Sequence, residues 1–219
     1  MAKLVEFRIY RGKMVCLTGL HIGTGKDVIE IGGVDATVVK HPLTQMPYVP
    51  GSSLKGRMRA LLEKKDGKTH DRYPGEPCGC GQRGCRICLI FGAHKNPSST
   101  VAPTRLIVRD ALLSSETYEE FQRYLKEAGK NYLEFKSENL VRRDTGVATN
   151  PRTFERVPEG AEFDVEFVLQ VYEGDDVELL ERTLNEGLAL ISQTYLGGSG
   201  SRGYGKVKFE MKPVEVVKA

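Results

Sequence analysis

Residues 32–65 read GGVDATVVKHPLTQMPYVPGSSLKGRMRALLEKK, and the interpretation of the whole chain starts from this stretch. A Gly-Gly turn carrying Asp35 leads into a short extended segment, and a helix is predicted to begin after it, at Ser52 or Ser53. A serine at this position can accept a backbone N–H of the first helical turn, and the unpaired amides of a helix start attract anions. The stretch therefore predicts a helix start that binds phosphate.

The predicted helix over residues 52–64 combines an apolar stripe with a basic face. The stripe consists of Leu54, Met58, Leu61 and Leu62. These positions follow the spacing of a buried helix face. Lys55 and Arg59 share a different face, with Arg57 beside them. Cations near a helix start oppose the macrodipole, so a bound polyanion explains them better than helix stability does; a solvated basic face is the alternative.

Composition sets bounds on the class of protein. The 219 residues suit one domain with insertions or two small domains, and 32 Lys and Arg against 29 Asp and Glu imply no polyanionic partner by themselves. We find neither a signal-peptide pattern nor an apolar run of about 20 residues. The sequence therefore predicts a cytoplasmic protein that does not enter a membrane.

Apolar periodicity outlines the remaining elements. Strands are predicted over residues 3–18, 106–108, 162–172 and 204–216, and further helices over residues 116–128 and 176–195. Residues 136–156 contain four arginines, many turn formers and little periodicity. They predict a long irregular segment, which is uncommon in a compact domain unless it is functional; a mobile surface loop is the alternative.

Residues 198–203 match G-x-G-x-x-G, but they follow a helix and precede a strand. A dinucleotide site needs the reverse order, so the sequence excludes a Rossmann site. The glycines permit close approach of backbone amides to a ligand, and Ser199, Ser201 and Arg202 add donors. The alternative is a glycine-rich end of the preceding helix.

Four cysteines, Cys78, Cys80, Cys85 and Cys88, lie within eleven residues in the pattern C-x-C-x4-C-x2-C. Four thiols with glycines between them suit a tetrahedral structural Zn²⁺ site. Because C-x-C is less usual than C-x2-C, His70 or His94 could replace one thiol. A cluster of reduced thiols without metal is the alternative.

The element order strand, helix, strand, strand, helix, strand, together with TGLHIG and YVPGSSLKGRMR, resembles the RAMP superfamily of CRISPR proteins. ENLVRRDTGVATNPRTFERVPEGAEF and GGSGSRGYGKV are similar to the repeated backbone subunit of the type III-A (Csm) interference complex. The resemblance implies an α+β, ferredoxin-like core of the RNA-recognition-motif type. It further implies a single domain over residues 1–219, with a cysteine-rich lid near 66–100 and a thumb-like insertion near 136–157.

The resemblance also implies a function. Such subunits polymerise along a CRISPR guide RNA beside the other subunits of the complex, and they cleave the paired target RNA at regular intervals. The implied catalytic residue is Asp35, with a divalent cation such as Mg²⁺ at the scissile phosphate. His41 stands where the family usually has an Asp. The implied RNA-binding residues are His21, Ser52, Ser53, Lys55, Arg59, Gly198, Gly200, Ser201, Arg202, Arg142, Arg152 and Arg156.

Two other functions fit the same residues. One is a non-catalytic RNA-binding scaffold in which Asp35 is structural. The other is a guide-processing endoribonuclease of the same superfamily with His21 as general base. From the residues alone, His21 contacts a ligand only if its loop faces the predicted helix over residues 52–64.

Overall fold

The computed structural model describes residues 3–24, 35–68, 75–128 and 132–219. The strands are β1 (Leu4–Cys16), β2 (Leu106–Val108), β3 (Leu112–Leu113), β4 (Glu134–Val141), β5 (Ala148–Arg156), β6 (Glu162–Tyr172), β7 (Val207–Met211) and β8 (Glu215–Lys218). The helices are α1 (Gly51–Asp66), α2 (Arg86–Phe91), α3 (Ser115–Ala128) and α4 (Val177–Gln193). The glycine pair predicted to form a turn before Asp35 lies outside the described residues.

One antiparallel sheet forms the core, with the strand order β2-β6-β1-β7. β3 continues the β2 edge of β6, while β8 pairs with β1 beyond β7. Alternation decides which side chains face the helices: Met14 opposes Phe163 and Tyr10 opposes Phe167, and all four are buried. This order with helices after β1 and β6 is the ferredoxin-like arrangement, so the predicted α+β fold class is confirmed.

Helices α1 and α4 pack against each other and against the sheet. The buried stripe of α1 is the predicted one, Leu54, Met58, Leu61 and Leu62. Asp176 starts α4 by accepting the Leu179 N–H at 3.0 Å. The two helices are in close contact at Gly187, where an added Cβ would overlap the side chain of Met58. A glycine inside α4 therefore allows the helices to meet.

The segment predicted to be irregular is a two-stranded antiparallel ribbon, made of β4 and β5 with one register shift between Glu138 and Leu140, and the prediction was wrong. Apolar alternation is missing because both faces of most of the ribbon lie in solvent, as Phe135 and Leu140 show with 46% and 59% exposure. A strand without a buried face leaves no period-2 pattern in its sequence.

Two boundary predictions were also wrong. The last predicted strand is divided into β7 and β8, which pair in turn with residues 12–16 and 6–9 of β1. Helix α1 begins at Gly51, with Pro50 at the N-cap and no side-chain cap from either serine. The Asp110 carboxylate accepts the Gly51 N–H at 2.7 Å. An internal carboxylate thus already bonds an amide of the helix start that was expected to bind phosphate.

Within the described ranges, no helix has both the length and the apolar character that crossing a bilayer requires.

Candidate nucleic-acid interface and metal cluster

Asp35 lies against the inner end of the ribbon. Its Oδ2 accepts the Thr153 N–H at 2.6 Å, and its own N–H donates to the Thr153 carbonyl at 3.0 Å. The next residue, Ala36, forms a parallel bridge with Phe154. The Asp35 residue is exposed, so the backbone of β5 holds a carboxylate that solvent can reach.

His21 is 8% exposed and packs between β5 and the glycine-rich loop, which we define as residues 197–205. Its Nδ1 lies 2.7 Å from the Glu155 carbonyl, and its own carbonyl accepts the Gly198 N–H at 2.9 Å. An added Cβ on Gly197 would overlap that same carbonyl oxygen. The hydrogen bonds of His21 thus connect β5 with the glycine-rich loop.

The basic face of α1, which was predicted to bind a polyanion, makes internal contacts in the structure. Lys55 Nζ donates to the Leu106 carbonyl of β2 at 2.8 Å, and burial, followed by the charge of Arg59, lowers the pKa of Lys55. Arg59 donates to Glu63 at 2.8 Å and to the Cys78 carbonyl at 2.7 Å. Both side chains therefore serve contacts on the flank of α1 that faces β2 and the cysteines.

The α1 cation that does reach the glycine-rich side is Arg57, which the prediction did not include. Its Nε donates to the Tyr195 carbonyl at 2.9 Å, and its guanidinium lies 3.9 Å from the centre of the Tyr195 ring. Gly200 lies under the same ring, because an added Cβ there would overlap it. On a helix, position 57 lies on the opposite side of the buried stripe from positions 55 and 59. This spacing could have shown from the sequence that Arg57 faces different neighbours from Lys55 and Arg59.

Two aromatic rings at the inner end of the ribbon carry cations on their faces. Arg202 of the glycine-rich loop lies 5.5 Å from the centre of Phe154, and Arg156 lies 4.4 Å from the centre of Tyr204. The two rings pack edge to face, with centroids 6.4 Å apart. The structure thus brings Arg156 and Arg202 together, and the aromatic residues between them were missed by the prediction. The sequence did contain a signal for these rings, because Phe154 lies two positions from Arg156 and Tyr204 lies two positions from Arg202.

These cations are paired with acids of β4. Arg202 Nη1 lies 3.1 Å from Glu138, Arg156 forms an ion pair with Glu134, and the Tyr204 hydroxyl donates to Glu138 at 2.6 Å. Gly19 leaves room for the Arg156 guanidinium, since an added Cβ would lie 2.6 Å from its Nε. In this structure the basic groups of the interface are therefore neutralised from within.

The remaining predicted residues are spread over the surface. Arg142 pairs with Asp144 at 2.5 Å beside the ribbon turn, and Arg152 is exposed midway along β5. Ser52 and Ser201 are exposed and Ser53 is half-buried. His41 Nδ1 accepts the N–H groups of Leu43 and Thr44, at 3.3 and 3.4 Å. An aspartate oxygen can accept backbone N–H groups in the same way, so either residue can stabilise the turn at position 41.

The four cysteines form a compact cluster. Their Sγ atoms all lie within 4.8 Å of one another, with separations of 4.0 Å for Cys78–Cys85, 3.6 Å for Cys80–Cys88 and 3.7 Å for Cys78–Cys88. Four sulfurs at 2.3 Å from a tetrahedral metal would stand about 3.8 Å apart. The cluster therefore has the donor set and size that a metal ion needs.

The residues around the cysteines bear on whether His70 or His94 replaces one of the thiols. His94 Nε2 lies 3.1 Å from the Glu76 carboxylate, and the four ligand positions are filled by thiols without it. His70 lies outside the described residues. Glu63 accepts the Cys78 N–H at 2.9 Å while Arg59 bonds the Cys78 carbonyl, so α1 holds the first cysteine of the cluster from both sides.

An antiparallel α+β sheet with a glycine-rich loop, arginines stacked on aromatic rings and a protruding ribbon that carries further arginines is an arrangement found in nucleic-acid-binding proteins. The family can be stated more closely. The profile of the RAMP superfamily matches residues 13–208, and the chain belongs to this superfamily.

Relatives extend over most of the chain. It is 45% identical over 215 residues to "CRISPR system Cms endoribonuclease Csm3" of Methanothermobacter thermautotrophicus, covering 92% of this chain and 83% of that protein. It is 37% identical over 206 residues to the protein of the same name from Enterococcus italicus, covering 94% and 91%.

Solved structures give the same picture. A chain of the Csm3-Csm4 subcomplex of the type III-A CRISPR-Cas interference complex matches with a TM-score of 0.59 and 31% identity, covering 99% of this chain and 81% of that one. A chain of the type III-B Cmr-beta complex bound to cognate target RNA matches with a TM-score of 0.60, covering 97% and 61%. At 17% identity, the second match shows the fold alone.

Proposed function

We propose that the chain is a guide-RNA-binding backbone subunit of a type III-A CRISPR complex and an endoribonuclease that cleaves complementary target RNA at regular intervals. The observation that carries this proposal is 45% identity, across 92% of the chain, to a protein named as an endoribonuclease of a CRISPR system. The partners that go with it are guide RNA, target RNA, further copies of the chain and the other subunits of the complex.

The structural elements take defined roles in this proposal. The glycine-rich loop and His21 contact the guide backbone, with Arg202 beside them and Arg57 holding the loop from α1. The ribbon is the thumb-like insertion, and its Arg142 and Arg152 extend the basic surface. Ser52, Ser53, Lys55 and Arg59 are weaker candidates, because the contacts of the two cations are internal. Residues 1–219 act as one domain with a cysteine-rich lid.

Asp35 is the proposed catalytic residue. Cleavage through the RNA 2′-hydroxyl needs that hydroxyl in line with the phosphorus, its proton removed and the developing charge neutralised. A divalent cation such as Mg²⁺, when bound, supplies the neutralisation. Because the Thr153 N–H engages Oδ2, Oδ1 is the oxygen that would hold the cation or accept the proton. β5 sets the position of this oxygen.

The proposal assigns Zn²⁺ to the cysteine cluster as a structural ion. The thiol separations fit tetrahedral coordination, and four protein ligands fill the coordination sphere. Three of the thiols are buried, as a structural site requires.

A guide-processing role with His21 as general base has less support. His21 is 8% exposed, and its Nδ1 is bonded to a backbone carbonyl. A base must reach the proton that it removes.

The test is cleavage of a guide-complementary RNA by the reconstituted complex, with and without Mg²⁺. Asp35→Ala should lower the cleavage rate about 100-fold or more while guide binding is retained. Asp164→Ala is the matched control, since Asp164 is an exposed aspartate of β6 on the face of the sheet turned away from α1 and α4. Equal cleavage by the two variants would refute catalysis by Asp35 and favour the scaffold.

A further inference from the structure

The Glu138 carboxylate lies among groups that are better suited to a phosphate. Tyr204 donates to Glu138 Oε1 at 2.6 Å, Arg202 approaches Oε2 at 3.1 Å, and Lys136 Nζ lies 3.8 Å from Oε1. Two cations and one hydroxyl donor, from β4 and from the glycine-rich loop, thus converge on one anion. The Glu138 side chain is 19% exposed, and the Arg202 side chain is 52% exposed.

Two of the donors also contact the faces of aromatic rings. The face of Phe154 supports Arg202, and the face of Tyr204 supports Lys136, whose Nζ lies 4.6 Å from the ring centre. Burial, followed by the bond to Glu138, raises the pKa of Tyr204 to about 12, so its hydroxyl remains a donor at neutral pH. The pocket is therefore built from groups held by ring contacts as well as by Glu138.

We propose that Arg202, Lys136 and the Tyr204 hydroxyl form a binding site for one backbone phosphate of RNA, which Glu138 occupies in the RNA-free protein and leaves when RNA binds. A phosphodiester offers two unesterified oxygens that share one negative charge, as a carboxylate does, so it can accept from the same donors. The inference rests on the proposed RNA-binding function and adds Tyr204 and Lys136 to the interface.

Displacing Glu138 has a modest cost. An ion pair with a half-exposed arginine contributes little to stability, because water and salt screen it. Binding of a polyanion gains from counterion release, which a single internal carboxylate cannot supply. Glu138 would thus lower the affinity for RNA without preventing binding, and it would keep the arginine paired until RNA arrives.

The direction in which Glu138→Gln changes the affinity for RNA tests the inference. Glu138→Gln keeps an oxygen that can accept from Tyr204 but removes the negative charge. We expect the full-length variant to bind single-stranded guide RNA about three- to tenfold more tightly than the wild-type protein. The slope of log affinity against log salt should change little, because both proteins make the same phosphate contact once RNA is bound.

The control accounts for net charge. Glu210→Gln makes the same change of charge in β7, where Glu210 pairs with Lys208 at 2.5 Å. If the general charge of the protein were responsible, both variants would gain affinity equally, and the inference would be overturned. Weaker binding by Glu138→Gln would also overturn it, because Glu138 would then be orienting Arg202 for RNA.

A double variant identifies the released cation. Arg202→Ala combined with Glu138→Gln should show no gain over Arg202→Ala alone, and a full gain would contradict the assignment of Arg202 to the pocket. A wild-type protein that bound no guide RNA would contradict both the proposed function and this inference. Wild-type binding without a specific gain in Glu138→Gln would sink the inference alone.

Discussion

At the scale of single residues, two glycines inside helices have opposite surroundings. An added Cβ at Gly56 of α1 would meet no atom within 4 Å, whereas at Gly187 of α4 it would overlap the buried Met58 side chain. Gly56 therefore weakens its helix without a packing reason, while Gly187 sets the distance between α1 and α4.

These surroundings predict opposite signs for the same substitution. Gly56→Ala should raise the free energy of unfolding by up to about 1 kcal/mol, because alanine has the higher helix propensity. Gly187→Ala should lower it by about 1–3 kcal/mol through overpacking. Urea titration followed by circular dichroism measures both values. Equal effects of the two substitutions would contradict the close approach at Gly187.

Residue spacing could show that Lys55 and Arg59 share a face, but not what lies opposite that face. Their partners, Leu106 and Cys78, come from distant positions in the chain and are placed by tertiary packing. Asp35 is proposed as the catalytic residue through resemblance alone, because a single acid in a loop has no periodicity to mark it. The thiol spacing, by contrast, is local, and it was sufficient to identify the cysteine cluster.

At the scale of elements, α2 is connected to both large helices. Arg86 bonds Asp66 at the end of α1 at 2.5 and 2.7 Å and forms an ion pair with Glu186 of α4. The hydrogen bonds from Arg86 and Lys65 lower the pKa of Glu186. The stability that comes from this lowered pKa is present above the unfolded pKa and is lost as pH falls through the folded one.

This connection predicts the effect of metal removal. Chelation of the proposed Zn²⁺ should lower the midpoint of thermal unfolding by several degrees, because α2 carries Cys88 and docks on α1 and α4. Cys88→Ser should lower it similarly and make the protein insensitive to the chelator. Cys16→Ser is the control, since this buried cysteine lies outside the cluster. A chelator effect that persisted in Cys88→Ser would contradict a metal site here.

The elements differ in how well the sequence predicted them. β6 matches its predicted bounds of residues 162–172, because a strand with one buried face alternates. The ribbon was missed because its structure comes from hydrogen bonds between two largely exposed strands, which leave no apolar pattern in the sequence. The start of α1 was misplaced because the Asp110 carboxylate, 59 residues away, bonds the first amide in place of a local serine.

At the scale of the whole molecule, the ribbon extends apolar side chains into solvent. Leu140 and Val147 are 59% and 55% exposed near its turn. Exposed apolar surface of this kind is typical of an interaction site. A subunit that repeats along a guide RNA must contact its neighbours, and the ribbon offers such a contact.

We therefore expect self-association that guide RNA strengthens. Sedimentation should show larger species as the RNA is lengthened, and Leu140→Ser with Val147→Ser should reduce them while leaving the unfolding midpoint unchanged. Leu43→Ser, at a residue that is 88% exposed outside the ribbon, is the control. A protein that remained strictly monomeric on RNA would contradict the repeated-subunit proposal.

The position of β1 in the sheet has a consequence for biosynthesis. β1 leaves the ribosome early, yet its partners β6, β7 and β8 all follow residue 161. At a synthesis rate of about 5–20 residues per second, the roughly 150 residues between β1 and β6 take on the order of ten seconds or longer to be added to the chain. Charged side chains at Arg8, Arg11 and Lys13 favour hydration of the nascent strand during this interval, and β1 can pair only after β6 has been synthesised.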